Sequence, residues 1–268
     1  MKISVNMIVL NEELWVTPSI QSVYDWADEI IVLEGSVMEY VDLGFTKGFL
    51  SNDKTTKILD NFDDPDNKIQ IIRKASPWKH KNAMRQATID ASTGDWILVL
   101  DGDEVYKKED LKTMKERAEK CTLECISYPH KNFWNFDQIM KEEKPCIMER
   151  FFKRYENMTY PDKNTGQSAF KEDGTMVWHN KEHFDDISVY HYAKLKPKDY
   201  TLRKSQYYLV RDYGSTRKHA PQLAEQDYER WGTMTQDWDI KDHPETVKDT
   251  EAYKYFIENK ELPFNHKS

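Results

Sequence analysis

Four runs rich in Ile and Val, spaced by stretches of helical character, dominate the first half of the chain and most narrow its possible folds. They are Ile3 to Leu10, Glu29 to Gly35 (EIIVLEG), Lys68 to Lys74 (KIQIIRK) and Trp96 to Leu100 (WILVL). Helices fit between them at Trp15 to Trp26, Asp53 to Phe62 and Lys81 to Ser92, the last closed by Thr93-Gly94 as a stop. This alternation is the signature of βαβ units building a mostly parallel sheet flanked by helices. LECISYPH (Leu123 to His130) adds a fifth strand after a charged helix at Glu109 to Lys120.

Beyond that strand the regularity fades. Over residues 131 to 192 short β-like runs, CIMERFFKR and ISVYHY, are separated by turn-rich stretches such as YPDKNTGQSAFKEDG. From Pro197 the spacing turns helical, with helices expected at Tyr200 to Tyr213 and Pro221 to Gly232, then a charged tail from Asp242 to Ser268. The expected organisation is an α/β half over residues 1–130 and a second half over residues 131–268. The second half carries an irregular appended β region and C-terminal helices, and both halves sit in one compact domain.

Composition narrows the function. A net charge of -8 argues against a backbone-driven nucleic-acid binder. The three cysteines form no CxxC pair, so neither a disulfide framework nor a zinc ribbon is suggested. The opening MKISVNMIVLNEE alternates like a strand and is unlike a signal peptide, and no run approaches the ~18 apolar residues of a membrane span. The expectation is a cytoplasmic protein with no transmembrane segment.

The fourth strand runs straight into charge: WILVLDGDEVY places Asp101, Asp103 and Glu104 within four positions. Ligands of open parallel sheets bind at the carboxyl ends of the strands. Alternate residues of an extended chain point the same way, and Gly102 lets the backbone come close, so both aspartates can face one ligand. Two such carboxylates repel unless a cation lies between them, and hard oxygen ligands suit Mg2+ or Mn2+. A helix N-cap at Asp103, with Glu104 in the first turn, is the plainer reading. An EF-hand fails because Val105 stands where a ligand is needed. VLDGDEV also fits a haloacid-dehalogenase-like phosphohydrolase with Asp101 as nucleophile, although that motif normally opens its domain and four strands precede it here.

The surroundings carry a more specific likeness. ISVNMIVLNEE, SIQSVYDWADEIIVLEGS and KNAMRQATIDASTGDWILVLDGDE together resemble a family-2 glycosyltransferase of the glycosyltransferase-A fold with its DxD motif. Glu34 stands where that family usually carries Asp, and SNDKT (Ser51 to Thr55) follows only after an insertion over residues 36–50. The resemblance implies a metal-dependent, inverting transfer of a sugar from a nucleotide-diphosphate donor to a glycan, lipid or protein acceptor. It implies Mn2+ or Mg2+ at Asp103 with His191, and Asp101 at the metal or the ribose. Asn11, Glu12 and Glu34 would lie beside the base.

Lys81 and Arg85, one turn apart on a helix, can present two positive charges toward the phosphates or the base. The acceptor hydroxyl needs a general base. Glu182 is the candidate that follows from the order of ERFFKR and WHNKEH, with Glu149, Asp185 and Asp186 as alternatives. A non-catalytic glycan-binding module on the same fold also stays open.

Overall fold

The computed structural model of the protein describes residues 1–120, 122–135, 138–139, 146–162, 168–213, 219–233 and 247. Four parallel strands form its centre: β1 (Ile3–Val9), β2 (Glu29–Glu34), β3 (Ile69–Ile72) and β4 (Trp96–Asp101), in the spatial order β3-β2-β1-β4. In register, Val5 of β1 lies beside Ile30 on one side and Leu98 on the other. Helices cover both faces, so β1 is buried along almost its whole length, with Ile3, Val5 and Met7 fully inaccessible. Burial on both faces is why β1, β2 and β4 are written as near-continuous apolar runs, while the edge strand β3 leaves Gln70 exposed.

The crossovers carry α1 (Val16–Tyr24), α2 (Met38–Asp42), α3 (Thr55–Asp60) and α4 (Lys81–Ala91). At the start of α4 the His80 ring Nδ1 accepts the Ala83 N–H at 3.0 Å. The stop after α4 depends on Gly94, where a Cβ would fall 2.7 Å from the Ser4 backbone nitrogen. The insertion over residues 36–50 contains α2 and folds back, burying Tyr40 and Phe45 against Leu33, Met84 and Tyr207.

The second half lengthens the same sheet. β8 (Ile147–Lys153) pairs antiparallel with β4, followed in space by β6 (Cys125–Asn135), β10 (Val189–His191) and β5 (Glu104–Tyr106). β7 (Gln138–Ile139) and β9 (Lys181–His183) also pair with β6. β5 was not expected, and it replaces the anticipated helix cap: after the Asp101–Asp103 turn the chain re-enters the sheet, and α5 (Lys108–Lys120) begins only afterwards. The register of β5 on β10 sets Glu104 opposite His191, while β6 sets Asn132 on the other side of that histidine.

Two helices complete the described fold, α6 (Lys198–Tyr213) and α7 (Ala220–Thr233). α7 buries Ala220, Ala224 and Tyr228, a stripe at helical spacing, and Lys198 of α6 pairs with Glu225 at 3.2 Å. The charged tail from Asp242 to Ser268 lies outside the described residues apart from Val247. Among the described residues no helix is long and apolar enough to cross a membrane.

Candidate active site

β1 and β4 are neighbours with Ile8 opposite Asp101, so both strands deliver their following loops to one edge of the sheet. After β1 the chain turns sharply at Asn11, whose φ of 56° is a left-handed conformation that Asn tolerates better than most residues. The Asn11 side chain is used for tethering: Oδ1 accepts the Asn52 N–H at 2.7 Å and Nδ2 donates to the Phe45 carbonyl at 3.2 Å. Glu12, the next residue, turns inward and is buried. A Cβ at Gly102 would come within 3.0 Å of Glu12 Cγ and 3.1 Å of Val9 Cγ1. The glycine of the acidic motif therefore makes room for Glu12 and Val9 as well as letting the chain turn.

Around this turn the acids are interleaved with cations. Arg150, from β8, places NH2 2.7 Å from Asp101 Oδ2 and 3.3 Å from Glu104 Oε1. Burial alone would push the Asp101 carboxyl up, but Arg150 holds it well below the usual carboxylate range. Glu104 is fully buried, and burial outweighs Arg150 there, raising it to about 7. His130, 3.7 Å from Glu104, is driven down to about 2 by burial reinforced by Arg150, and so stands neutral. Lys196 Nζ lies 2.6 Å from both Glu12 oxygens and 2.6 Å from Asp103 Oδ2. Lys204 Nζ, from α6, is 3.6 Å from that same Asp103 oxygen. Burial opposes the charge of Asp103, yet Lys196 and Lys204 keep it ionised.

The other Asp103 oxygen, Oδ1, faces His191 Nε2 at 3.6 Å, beyond direct hydrogen-bond length. His191 Nδ1 bonds Asn132 Oδ1 at 2.6 Å. An amide oxygen accepts, so Nδ1 is the donor of this bond and Nε2 is the ring nitrogen left facing Asp103. This is the arrangement by which a supporting residue prepares a histidine for a metal. An ionised carboxylate oxygen and an imidazole nitrogen suit a divalent ion with further oxygen ligands from a diphosphate. Among the described residues, no three His, Cys, Asp or Glu side chains converge into a complete metal cage.

Apart from Glu104 and Lys196, which lie behind the others, the residues of this charged cluster line one cavity of about 860 Å3. Its lining includes Glu12, Lys81, Arg85, Asp101, Asp103 and His191, all singled out from the sequence. On the same cavity, Lys81 Nζ sits 5.5 Å from the Tyr40 ring centre and 5.3 Å from those of Tyr207 and Tyr208. Arg85 lies 6.0 Å from the Tyr160 ring and donates to Asn82 Oδ1 at 2.7 Å. Lys194, also on the wall, is lowered to about 8 by burial and by Lys204, against the pull of Asp227.

Three expected site residues are not in that lining. Glu34 is fully buried and accepts from Arg73 Nε at 2.7 Å, Thr56 Oγ1 at 2.5 Å and the Ser51 N–H at 3.2 Å. It secures the chain that follows the insertion, as Asn11 does. Glu182, expected as the base, is exposed on β9. The reason is register: β9 pairs with Cys125 to Ser127 at the start of β6, whereas His130 and Asn132, near its other end, reach the cavity. The alternatives fare no better. Glu149 pairs with Lys181, Asp185 with His183 at 2.8 Å, and Asp186 with both Arg117 nitrogens at 2.7 and 2.6 Å.

Sequence reasoning passed over Arg150, Lys196, Lys204, Tyr40, Tyr208 and Asp227. Arg150 had a signal, since it alternates with Glu149 on a strand and must face the other way. Asp227, beside the buried stripe of α7, reaches the cavity, and no described residue forms an ion pair with it.

Residues 50–188, just over half of the chain, match Glycosyl transferase family 2, and the chain belongs to that family. The SPbeta prophage-derived glycosyltransferase SunS of Bacillus subtilis (strain 168) is 26% identical over 190 residues, which cover 70% of this chain and 36% of the relative. The match thus spans about a third of that relative's length. A crystal structure of S. aureus TarS 1-349 superposes with a TM-score of 0.50 at 14% identity, covering 84% of this chain and 69% of that one. A second TarS structure also gives 0.50, at 15% identity, covering 87% and 44%. The TarS likeness shows the fold. Asp101 ends the fourth strand of the chain, whereas a phosphohydrolase nucleophile would end the first.

Proposed function

We propose that this chain transfers a sugar from a nucleotide-diphosphate donor to an acceptor hydroxyl or equivalent nucleophile, with inversion, using Mn2+ or Mg2+. Asp103 and His191 would hold the ion, and Asp101, anchored by Arg150, would contact the ribose or the ion. When bound, the ion supplies Lewis-acid neutralisation of the leaving diphosphate. Lys204 adds a positive charge beside Asp103, where that leaving group needs it. Lys81 and Arg85 hold the nucleotide within the same cavity.

Asp227 takes the proton of the acceptor as its oxygen bonds to the anomeric carbon. The bond from that carbon to the phosphate oxygen breaks, and its electron pair leaves with the diphosphate. Attack from the face opposite the leaving group inverts the centre. Asp227 is chosen because Glu12, Asp101 and Asp103 are all committed to cations. A glycan, lipid or protein acceptor is compatible with the cavity; the net charge of -8 speaks against nucleic acid. The thiol of Cys125 suits the reducing cytoplasm, where we place the protein.

The observation that carries this reading is the facing pair of Asp103 Oδ1 and His191 Nε2 on a cavity that Lys81 and Arg85 also line. The test is incubation with UDP-, GDP-, CDP- and dTDP-sugars and Mn2+, following release of the nucleoside diphosphate. Release from at least one donor is expected. No release from any of them, with water or added acceptors, would overturn the reading.

A further inference from the structure

Lys196 is the most enclosed cation of the site, with 2% of its side chain exposed, and the chemistry above gives it no part. Its position is set from three directions. Both oxygens of Glu12 approach Nζ at 2.6 Å, Asp103 Oδ2 lies at 2.6 Å, and the Tyr200 hydroxyl lies at 3.3 Å. The Glu12 stem packs on Gly102, and its Oε1 also accepts the Tyr200 hydroxyl at 2.8 Å. Asp103 thus has two unlike oxygens: Oδ1 looks at His191 Nε2, and Oδ2 is already covered by an ammonium, with Lys204 Nζ a further 3.6 Å off.

A divalent ion reaching Oδ1 is pulled by the Asp103 charge and pushed by two nearby ammonium groups. In a buried setting neither force is well screened. A nucleoside diphosphate brings the negative charge that restores the balance. We infer that Lys196 is a built-in counter-ion of the Asp103 site: it holds Glu12 and Asp103 together before any ligand arrives and weakens the site for a free divalent cation. Metal binding is thereby tied to the arrival of the nucleotide. Lys196 acts through Asp103 and is a positioning residue; the inference rests on the reading of Asp103 as a metal ligand.

The test is titration of Mn2+ alone into the full chain, with free Mn2+ followed by electron paramagnetic resonance. The wild type is expected to bind Mn2+ weakly, in the millimolar range. Lys196→Met should bind it at least tenfold tighter, because Glu12 and Asp103 are then unneutralised, and Lys196→Arg should stay near the wild type. Should Lys196→Met fail to fold, the double variant Glu12→Gln/Lys196→Met removes one charge of each sign and should still tighten Mn2+ binding. Lys204→Met, at a partly exposed site, should tighten it by a smaller factor.

Micromolar Mn2+ binding by the wild type, or no gain in the folded Lys196→Met or double variant, would overturn the inference. If Lys196→Met tightens Mn2+ while no nucleoside diphosphate alters wild-type Mn2+ binding, the donor reading and the tie between metal and nucleotide both fail, and only the counter-ion role of Lys196 stands.

Discussion

The two walls of the cavity handle charge in opposite ways. On the wall built from β1, β4 and β8, carboxylates and cations alternate at bonding distance: Asp101 with Arg150 at 2.7 Å, and Glu12 and Asp103 with Lys196 at 2.6 Å. On the wall that carries α4, Lys81 rests on aromatic faces, 5.3 to 5.5 Å from three tyrosine rings. Buried ion pairs are demanding, because removing one partner strands the other without water. A ring face stabilises a cation more weakly but brings no full negative charge. The first wall is therefore suited to fixing geometry, and the second to meeting an anionic ligand with cations seated against rings.

Breaking the first wall should have the largest effect. Arg150→Met leaves Asp101 and Glu104 without their guanidinium and is expected to cost about 3–5 kcal/mol of stability, read from urea unfolding. A loss below about 1 kcal/mol would mean that the acid wall is not held by its ion pairs. Asp227→Asn tests whether the uncommitted carboxylate on α7 differs in kind from the committed ones. Turnover should fall by about 10²–10⁴-fold with the donor KM unchanged, and a loss confined to donor KM would remove Asp227 from the proton transfer.

Stripping the second wall should be milder. Lys81→Met is expected to weaken nucleoside diphosphate binding about tenfold, roughly 1.4 kcal/mol, with little change in stability. Calorimetric affinities equal to those of the wild type would move the nucleotide off this wall.

A carboxylate remote from both walls offers the smallest effect. Glu29 begins β2, where burial would raise it, but hydrogen bonds from Ser4, Thr93 and Lys2 prevail and hold it at about 2, below the ordinary 4.5. The folded protein then binds fewer protons at Glu29 than the unfolded chain does between those values. Its contribution is complete above about pH 4.5 and is lost as pH falls toward 2. Thermal melts of Glu29→Gln and the wild type should converge over that window, and a constant gap would contradict the assignment.

What could be read from the sequence divides along the sheet. β1, β2 and β4 are buried on both faces by their crossover helices, so each announces itself as an Ile- and Val-rich run, as does the half-buried edge strand β3, and the turn after β4 marks the ligand edge. β5 is only Glu104–Tyr106 and gains its partner from β10, more than eighty residues away, so local pattern could not separate it from the acidic cluster. A separation of 184 residues hides Lys196: nothing local says that a lysine in KLKP will reach Glu12. Glu34 and Asn11 were legible as polar residues at strand ends, but the partners that claim them, Ser51 and Arg73 for Glu34 and Phe45 and Asn52 for Asn11, come back to them only in three dimensions. Glu182 misled because a short strand can pair with either end of a long one, and its register on β6 decides which edge it serves.

The central claim is that Asp103 and the cations that share its cavity form a metal-assisted site for a nucleotide diphosphate. Calorimetric titration of UDP, GDP, ADP and CDP, each with Mn2+ and again with EDTA, tests this most directly in the wild type and in Asp103→Ala. The account predicts saturable binding of at least one of them with Mn2+, weakened tenfold or more by EDTA and by Asp103→Ala alike. Failure of all four to bind in the presence of Mn2+, or binding indifferent to both EDTA and Asp103→Ala, would contradict it.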